Sequence, residues 1–394
     1  MRHVSIAERR ARLGRRHLLA PSVQDADASV PAVAHRFVGL HATDPATPYL
    51  TLWARVPGFR VAGLDHAMYE ARTVVKHLAM RRTLWVVDTD DLPAVQAAAS
   101  DRVAATERRR LVADLVKAGI AADGDAWLDT ATAAVLGHLA EHRHASSREL
   151  RVALPELAGD YDPAPERTWG GMGPVSPRVM TVMGVRGDLV RGPNEGTWTT
   201  SRPRWLVLSE WLGSKPEPVS PDVARATLIA RWLRTFGPAT AVDVKWWFGH
   251  TLTWAREGLR DVGAVEVDLE GGSAPGYLLP DDLEPEPDAG PWGALLPGLD
   301  VTTMGWQDRE WYLGGHRDRV FDRNGNAGPT AWWDGRVVGA WGQDAGGRVV
   351  LALAEDLPTN ATADLNHRAA ALTEWLGGVR VKPRFPSPLS RSVG

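Results

Sequence analysis

The sequence predicts an α+β protein built from tandem winged-helix motifs, with a small β-barrel-like part at its C-terminal end. A pattern of helices followed by a hairpin occurs twice, and short apolar runs separated by Gly-rich turns follow a Pro-rich acidic segment. At 394 residues the chain exceeds one average domain, so we expect several units. The expected units are an N-terminal helical or winged-helix region (1–140), a winged helix (145–212), a second winged helix (219–283), and a β-barrel-like region with a C-terminal helix and basic tail (291–394).

The first unit reads mainly as helices. Ser29 before Val30-Pro31 has the pattern of a helix N-cap with Pro in the first turn, and Asp44-Pro45 repeats it. Residues 83–88 predict a short strand, and residues 91–140 predict further helices.

The second unit begins with a capped helix, because Ser146 and Glu149 have the capping-box spacing. A helix and two strands follow in RVMTVMGVRGDLVRG and NEGTWTTSRPRW. The third unit repeats this plan with three helices between residues 220 and 262, a turn at 238–241, and a hairpin in AVEVDLEGGSAPGYLLP. Each outline is that of a winged helix.

The last unit reads mostly as β-strands. The runs TAWW, RVVGAW and RVVLALA alternate with the turns WDG and DAGG, which predicts a small barrel or curled sheet. Residues 359–378 predict a final helix.

Composition excludes several classes of site. The chain has no cysteine, so disulfides, thiolate metal sites and cysteine nucleophiles are excluded, and no HExxH spacing occurs. We expect neither a metal nor a cofactor. No run of about 18 apolar residues predicts a membrane span, and the charged N-terminus does not resemble a secretory signal, so we expect a cytoplasmic protein.

Charge is distributed unevenly along a nearly neutral chain. Residues 1–20 carry six Arg, residues 281–288 are acidic, and the tail after Val379 is basic. Such basic strips either bind a polyanion or are ordinary solvated charge. Most of the 18 Trp residues are expected in the core, and a few of them can stack on bases.

Five stretches together resemble the AlkZ/YcaQ-type winged-helix DNA glycosylases. They are VGLHATDPATPYLTLWARV, KHLAMRRTLWVV, RGDLVRGPNEGTWTTSRPRW, RTFGPATAVDVKWWFG and LLPGLDVTTMGWQDREWYLGGHRDRVFDRNGNAGPTAWWDGRVVGAW. The resemblance implies a C-shaped arrangement of winged helices and excision of N7-alkylated purines, bulky adducts or crosslinked bases. It also implies damaged double-stranded DNA as the partner of a nucleoid-associated monomer.

The family's Gln-x-Gln or Gln-x-Asp signature corresponds here to His41-Ala42-Thr43, so this chain departs from it at both positions. Cleavage of an N-glycosidic bond builds positive charge on the sugar. Neutral His41 is therefore expected to accept a hydrogen bond from the attacking water, and DNA phosphates are expected to raise its pKa. Thr43 is expected to hold the water. Asp44 either caps the next helix or orients His41.

Other side chains are candidates for DNA contact, each with a simpler structural alternative. Arg81 and Arg82 either clamp a phosphate or are solvated, and Arg191, Arg202 and Arg204 lie on the predicted wing. The remaining candidates are His316, Arg317, Arg323, Asn324 and Asn326, for which turn formation is the alternative. Two further functions stay open: a DNA-binding protein without catalysis, and winged helices that contact only proteins.

Overall fold

The computed structural model describes residues 1–25, 27–162, 164 and 171–393; residues 26, 163, 165–170 and 394 lie outside the described part. The helices are α1 (Ile6–Arg16), α2 (Val30–Arg36), α3 (Thr47–Trp53), α4 (Val61–Asp65), α5 (Leu92–Val95), α6 (Asp101–Lys117), α7 (Gly124–His142), α8 (Ser147–Ala153), α9 (Ser176–Arg186), α10 (Leu208–Leu212), α11 (Pro221–Phe236), α12 (Ala241–Phe248), α13 (Leu252–Asp261), α14 (Glu310–Leu313), α15 (Arg317–Val320) and α16 (Thr359–Leu376).

The strands form several small sheets. They are β1 (Arg2–Val4), β2 (Leu40–His41), β3 (Val74–Leu78), β4 (Leu84–Asp88), β5 (Asp160–Tyr161), β6 (Gly173–Pro174), β7 (Leu189–Asn194), β8 (Pro203–Val207), β9 (Ala239–Thr240), β10 (Val265–Leu269), β11 (Gly276–Leu278), β12 (Gly293–Leu296), β13 (Thr330–Trp333), β14 (Arg336–Gln343) and β15 (Val349–Leu353). The sheet orders are β1-β10-β11-β9, β12-β13-β14-β15 and β2-β4-β3, with two-stranded pairs β5-β6 and β7-β8. The predicted α+β class is confirmed.

The largest hydrophobic core joins the two ends of the chain. It packs side chains of α1, α2 and β4 against α11, α12 and the region of β12–β14. Trp85, Trp232, Trp247, Trp292 and Trp332 are among its largest fully buried side chains. These indoles occupy the core, as expected of residues that bury so much apolar area.

A second core is formed by α6, α7, α8 and α9 with the hairpin β7–β8. Ser146 and Glu149 form the predicted capping box at the start of α8, and Gly187 ends α9 in the left-handed conformation. This core starts at Leu111, within the range 1–140 that the sequence predicts as the first unit. Helices α6 and α7 bury apolar side chains against α9 in this core, including Leu111, Leu115 and Leu128.

The third unit has the predicted order of elements. Helix α11 starts at the N-cap Ser220 and ends at Gly237. Helices α12 and α13 follow, and β9 adds to the hairpin β10–β11, so that three antiparallel strands lie beside three helices. Strand β1, from the other end of the chain, extends this sheet by pairing in parallel with β10.

The C-terminal strands form an open sheet rather than a barrel. Neighbouring strands from β12 to β15 pair antiparallel, and in the described part of the chain β12 and β15 remain the two edges. The barrel-like expectation is therefore corrected. Helix α16 packs along β12 and β15 and covers the apolar face, so closure is not needed to bury it.

The basic N-terminus and the acidic segment neutralise one another. Arg12 and Arg16 lie 3.0 and 2.6 Å from Asp282, and Arg15 and Arg16 lie 3.1 and 2.7 Å from Glu286. Asp282 and Glu286 are half-buried against α1, whereas Asp281, Glu284 and Asp288 are exposed. These four contacts leave the three arginines less available to a polyanion than the sequence suggests.

The basic tail folds back onto the protein. Ser387 is fully buried, and Leu389 donates its backbone N–H to the carbonyl of Arg319. Backbone and side chain of Arg384 contact Asp44 and Thr43. Among the described helices, none combines the length and apolar composition that a membrane span requires.

Candidate functional site

The His41-Ala42-Thr43 motif lies at the edge of the sheet β2-β4-β3. His41 pairs with Trp85 of β4, and Trp85 also pairs with His77 of β3. Directly paired residues point their side chains to the same face, so these three rings share one face of the sheet. The sequence suggested a break between helices here, and the two-residue strand β2 was not predicted.

His41 is held neutral. It is only 3 % exposed, and its ring meets the Trp85 ring edge-on at 4.9 Å between centroids. Burial, helped by the positive charge of Arg81, lowers the pKa of His41 to about 3. This direction differs from the increase expected from DNA phosphates, because removing the imidazolium from water dominates in the folded chain.

The hydrogen bond of the His41 ring selects its tautomer. The backbone N–H of Thr43 donates to Nδ1 at 3.4 Å. A neutral imidazole that accepts at Nδ1 carries its proton on Nε2. Nε2 makes no hydrogen bond to the described residues, so it remains available as a donor, whereas the sequence suggested that His41 accepts from a water.

Thr43 keeps part of its hydrogen-bonding capacity. Its Oγ1 accepts the backbone N–H of Leu84 at 3.2 Å, and its carbonyl accepts from Nη1 of Arg384 at 3.4 Å. A hydroxyl has one donor and two acceptor sites. The Thr43 hydroxyl can therefore still accept one hydrogen bond and donate another.

Asp44 has a different structural role from the two proposed. Helix α3 begins at Thr47 with Ala46 as its N-cap residue, so Asp44 precedes the cap. Its Oδ1 accepts the N–H of Ala46 at 3.1 Å and its Oδ2 accepts the N–H of Arg384 at 2.8 Å. Burial raises the pKa of Asp44, and these bonds oppose the increase. The carboxylate thus joins the motif to the tail, and its hydrogen bonds do not go to His41.

Arg81 lies beside His41 in a strained backbone conformation. It has a left-handed φ of 55°, and its guanidinium lies 3.9 Å from the Trp246 ring. Arg309 lies 4.6 Å from the same ring and is 4 % exposed. Burial and then the charge of Arg309 lower the pKa of Arg81 to about 10. Arg81 therefore connects the motif to Trp246 and Arg309.

Arg81 is positioned by the end of α12. Gly249 ends that helix with a φ of +67°, and a Cβ at this position would lie 3.0 Å from the backbone nitrogen of Arg81. Only a residue without a side chain allows this close approach. Nothing in the local sequence around Gly249 indicated its contact with Arg81.

Arg191 also reaches the motif. It lies on β7 opposite Trp205, with its guanidinium 4.6 Å from that ring, and it lines a pocket together with Ala42, Pro45 and Lys76. Burial lowers the pKa of Arg191 to about 10. Of the three predicted wing arginines, this one lies beside the motif.

The other predicted arginines are already paired or lie elsewhere. Arg82 binds Glu107 at 2.7 Å, and Arg204 binds Glu149 at 2.9 Å and Glu195 at 2.7 Å. Arg202 is exposed on the hairpin loop. Their contacts with DNA remain predictions, and the pairing of Arg82 and Arg204 explains how each is held in the absence of DNA.

The predicted loop near residue 323 is organised by Asp322. Its Oδ1 accepts the N–H groups of Asn324 and Asn326, and its Oδ2 accepts from the Asn326 side chain. Arg323 is exposed. These contacts are those of a turn held by Asp322. DNA binding by this loop stays a prediction.

His316 and Arg317 face acidic neighbours. His316 lies 3.5 Å from Glu355, and Arg317 lies 2.7 Å from Glu310. Neither residue contacts the motif in the described hydrogen bonds, so the structure does not bring them together with His41.

One group of side chains has the spacing of a metal site. His35, Asp88 and Asp91 bring ligand atoms within 4.8 Å of one another. Asp91 already forms ion pairs with Arg231 and His35. Arg231 already neutralises the Asp91 carboxylate that would bind a metal ion, so we assign no metal to this group.

Sequence reasoning missed Lys76, Trp246, Arg309 and Arg384. The local sequence around each of the four predicts only a helix, a strand or the tail. Their contacts are with residues from other parts of the chain. Lys76, Trp246 and Arg309 lie in three of the stretches that carry the family resemblance, which was the one available signal.

Comparisons with known proteins agree with the fold. The family model described as DNA glycosylase AlkZ-like matches residues 34–375. An interstrand DNA cross-link repair glycosylase of Streptomyces sahachiroi is 32 % identical over 173 residues, which is 41 % of this chain. That match spans 45 % of the relative's own length, less than half of it.

A solved structure is similar over nearly the whole chain. The DNA glycosylase AlkZ of Streptomyces sahachiroi superposes with a TM-score of 0.70 at 22 % identity, covering 97 % of this chain and 99 % of the other. At that identity the likeness concerns the fold. The family match covers far more than half of the sequence, and the chain therefore belongs to the AlkZ-like DNA glycosylase family.

Proposed function

We propose that this protein is a monofunctional DNA glycosylase that removes cationic N7-alkylpurines or bulky adducts from double-stranded DNA. The observation that supports the proposal is the His41-x-Thr43 pair, which by sequence resemblance corresponds to the glutamine signature of the family. His41 remains neutral and retains a free donor, and Thr43 retains a free acceptor site.

The proposed chemistry is hydrolysis assisted by a positioned water. Nε2–H of His41 donates a hydrogen bond to the water oxygen, and the Thr43 hydroxyl accepts a hydrogen bond from the same water without taking its proton. The remaining lone pair of the water forms the new bond to the sugar carbon as the carbon–nitrogen bond breaks. The alkylpurine leaves as a neutral base with the bonding electron pair, and the proton of the water passes to solvent. A purine alkylated at N7 already carries positive charge and leaves without protonation, so this modest assistance is sufficient.

The electrostatics of the site favour a neutral ring at position 41. Positive charge develops on the sugar as the bond breaks, and an imidazolium beside it would raise the barrier. The nearby cation Arg81 would oppose the reaction in the same way unless it is neutralised. We propose that a phosphate of the bound DNA neutralises it, so binding of the backbone and catalysis are linked.

The DNA-binding surface is proposed to consist of winged helices arranged in a C-shape. Helices α7–α9 with β7–β8, and α11–α13 with β9–β11, are interpreted as two such motifs. The order of their elements supports this interpretation. We further propose that the protein acts on damaged duplex DNA as a monomer.

Base release tests the proposal. A duplex containing N7-methylguanine is incubated with the wild type, His41→Ala and Thr43→Val, and free base and abasic sites are quantified. We expect release by the wild type without strand cleavage until alkali is added, and a loss of about 100-fold in His41→Ala, the order found for one positioned donor. His367→Ala, at an exposed position on α16, is the matched control.

A DNA-binding protein without catalysis is the second candidate. The burial of His41 at 3 % exposure favours it, because a ring this enclosed reaches substrate only through its Nε2 edge. Under this alternative the wild type binds duplex DNA and releases no base from N7-methylguanine or bulky-adduct substrates. That outcome would refute the glycosylase proposal.

A further inference from the structure

Two cationic side chains meet beside the motif at a seam between β3 and β7. Lys76 and Arg191 both line the pocket that includes Ala42 and Pro45. They also line an adjoining pocket bounded by Trp205. Lys76 and Arg191 therefore line both of these neighbouring pockets.

Neither cation has an anionic partner in the described part of the chain. The described ion pairs and side-chain hydrogen bonds include no contact of Lys76 Nζ or of the Arg191 guanidinium. Lys76 Nζ lies 5.9 Å from the Tyr49 ring centroid, and Arg191 lies over Trp205. Arg204, on the same hairpin as Arg191, binds two carboxylates.

The arrangement is unfavourable without an anion. Burial and the neighbouring Arg191 lower the pKa of Lys76 to about 8, and burial lowers that of Arg191 to about 10. Asp65 partly offsets the effect on Lys76, but its carboxylate accepts the Tyr49 hydroxyl at 2.6 Å. Largely buried charges that lack a partner destabilise the folded state, so an external anion would stabilise this one.

We propose that Lys76 and Arg191 bind one phosphodiester group of the DNA strand beside the motif, with one phosphate oxygen entering the pocket, whose volume of about 10 Å³ admits a water-sized group. The inference rests on the proposed function, because it assigns the pocket to the same substrate. The ammonium and the guanidinium supply the charge, and the Ser201 hydroxyl adds a polar group to the lining, whereas Asn194 and Thr200 hydrogen-bond within the hairpin loop. Arginine and lysine are the usual phosphate ligands.

The position of the pocket suits a backbone contact. It opens between the loop after β2 and the loop that joins β7 to β8. Ala42 lies between the two motif residues, so a phosphate held there fixes the strand next to His41 and Thr43. Contacts of this kind set the register of the DNA and do not read its sequence.

Lys76→Met and Arg191→Met test the proposal through two opposite effects. Each variant removes one cation while keeping an unbranched apolar chain. We expect the melting temperature without DNA to rise, because an unpaired charge is removed. We expect duplex affinity to fall, and the slope of log K against log salt concentration to decrease by about 0.9.

Fluorescence anisotropy over a fourfold range of salt concentration measures the slope. A slope smaller by about 0.9 means that a Met variant loses about 3-fold less affinity than the wild type across that range. Lys76→Arg keeps the charge and should retain the wild-type slope. Lys117→Met, at an exposed position of α6, is the control for the loss of one lysine elsewhere and should retain both slope and melting temperature.

An unchanged slope in both Met variants would overturn the proposal. A fall in their melting temperature would also overturn it, because it would show that the two cations stabilise the folded protein without DNA. Stabilisation of the wild type by millimolar inorganic phosphate without any slope change would identify a site for free phosphate and would also overturn it. The base-release assay keeps the two proposals separate. A wild type that releases no base but shows the slope change retains the phosphate pocket and loses the glycosylase function.

Discussion

Replacing His41 by glutamine should make the protein less sensitive to mild acid. His41 has an ordinary pKa of 6.5 when unfolded and a pKa of about 3 in the folded chain. Between these values the unfolded state binds a proton that the folded state does not. Stability therefore falls as the pH drops below 6.5, and the glutamine variant lacks this contribution.

The size of the effect follows from the two pKa values. Between pH 7 and pH 5 the unfolded ring becomes almost fully protonated while the folded ring stays neutral. Linkage then gives a loss of about 2 kcal/mol in the free energy of unfolding that is specific to His41. The buried rings of His17 and His77 and the half-buried ring of His250 also have lowered pKa values, but they are present in both proteins and cancel in the comparison.

Urea unfolding of both proteins at the two pH values measures the difference. We expect the wild type to lose about 2 kcal/mol more than His41→Gln on acidification. A difference below about 0.5 kcal/mol would refute the reasoning, because it would mean that His41 is protonated in the folded state near its ordinary pKa. In that case the neutral donor in the proposed mechanism would also be excluded at mildly acidic pH.

Two further predictions concern contacts between distant parts of the chain. Asp300→Asn removes the fully buried carboxylate that lies 2.7 Å from Arg55, and it should lower the free energy of unfolding in urea by about 3–5 kcal/mol. Asp268→Asn is the control, because the pair of Asp268 with His3 is exposed. An equal effect of both substitutions would contradict the role of burial. Asp44→Ala removes the acceptor for two backbone N–H groups and should cost about 1–3 kcal/mol. It should also speed tryptic cleavage near Arg384, and an unchanged cleavage rate would show that the tail is held by other contacts.

Local signals were sufficient for most element ends. Ser29, Ser146 and Ser220 cap the helices that follow them, and Gly237 follows the last residue of α11. Each of these features depends on a hydrogen bond or a backbone angle within a few residues. Such interactions are encoded where they occur, so the sequence predicted them.

The candidate site shows where local reasoning stops. Strand β2 has only two residues and exists because it pairs with β4, which lies more than forty residues later. The hydrogen bonds of Asp44 depend on Arg384, 340 positions away. The sequence around Asp44 fits either a helix cap or a turn, and the contact with the distant Arg384 distinguishes the two.

The sequence by itself determined the fold class, the order of the helical and hairpin units, and the position of the motif that carries the family resemblance. The tertiary structure decided which charges are free. Arg82 and Arg204 are paired by carboxylates from other elements, whereas Lys76 and Arg191 have no such partner among the residues that the structure describes. It also decided the protonation of His41, because desolvation depends on how Trp85 and the surrounding core enclose the ring. Charge pairing and desolvation are properties of neighbours in space, and a linear sequence does not specify those neighbours.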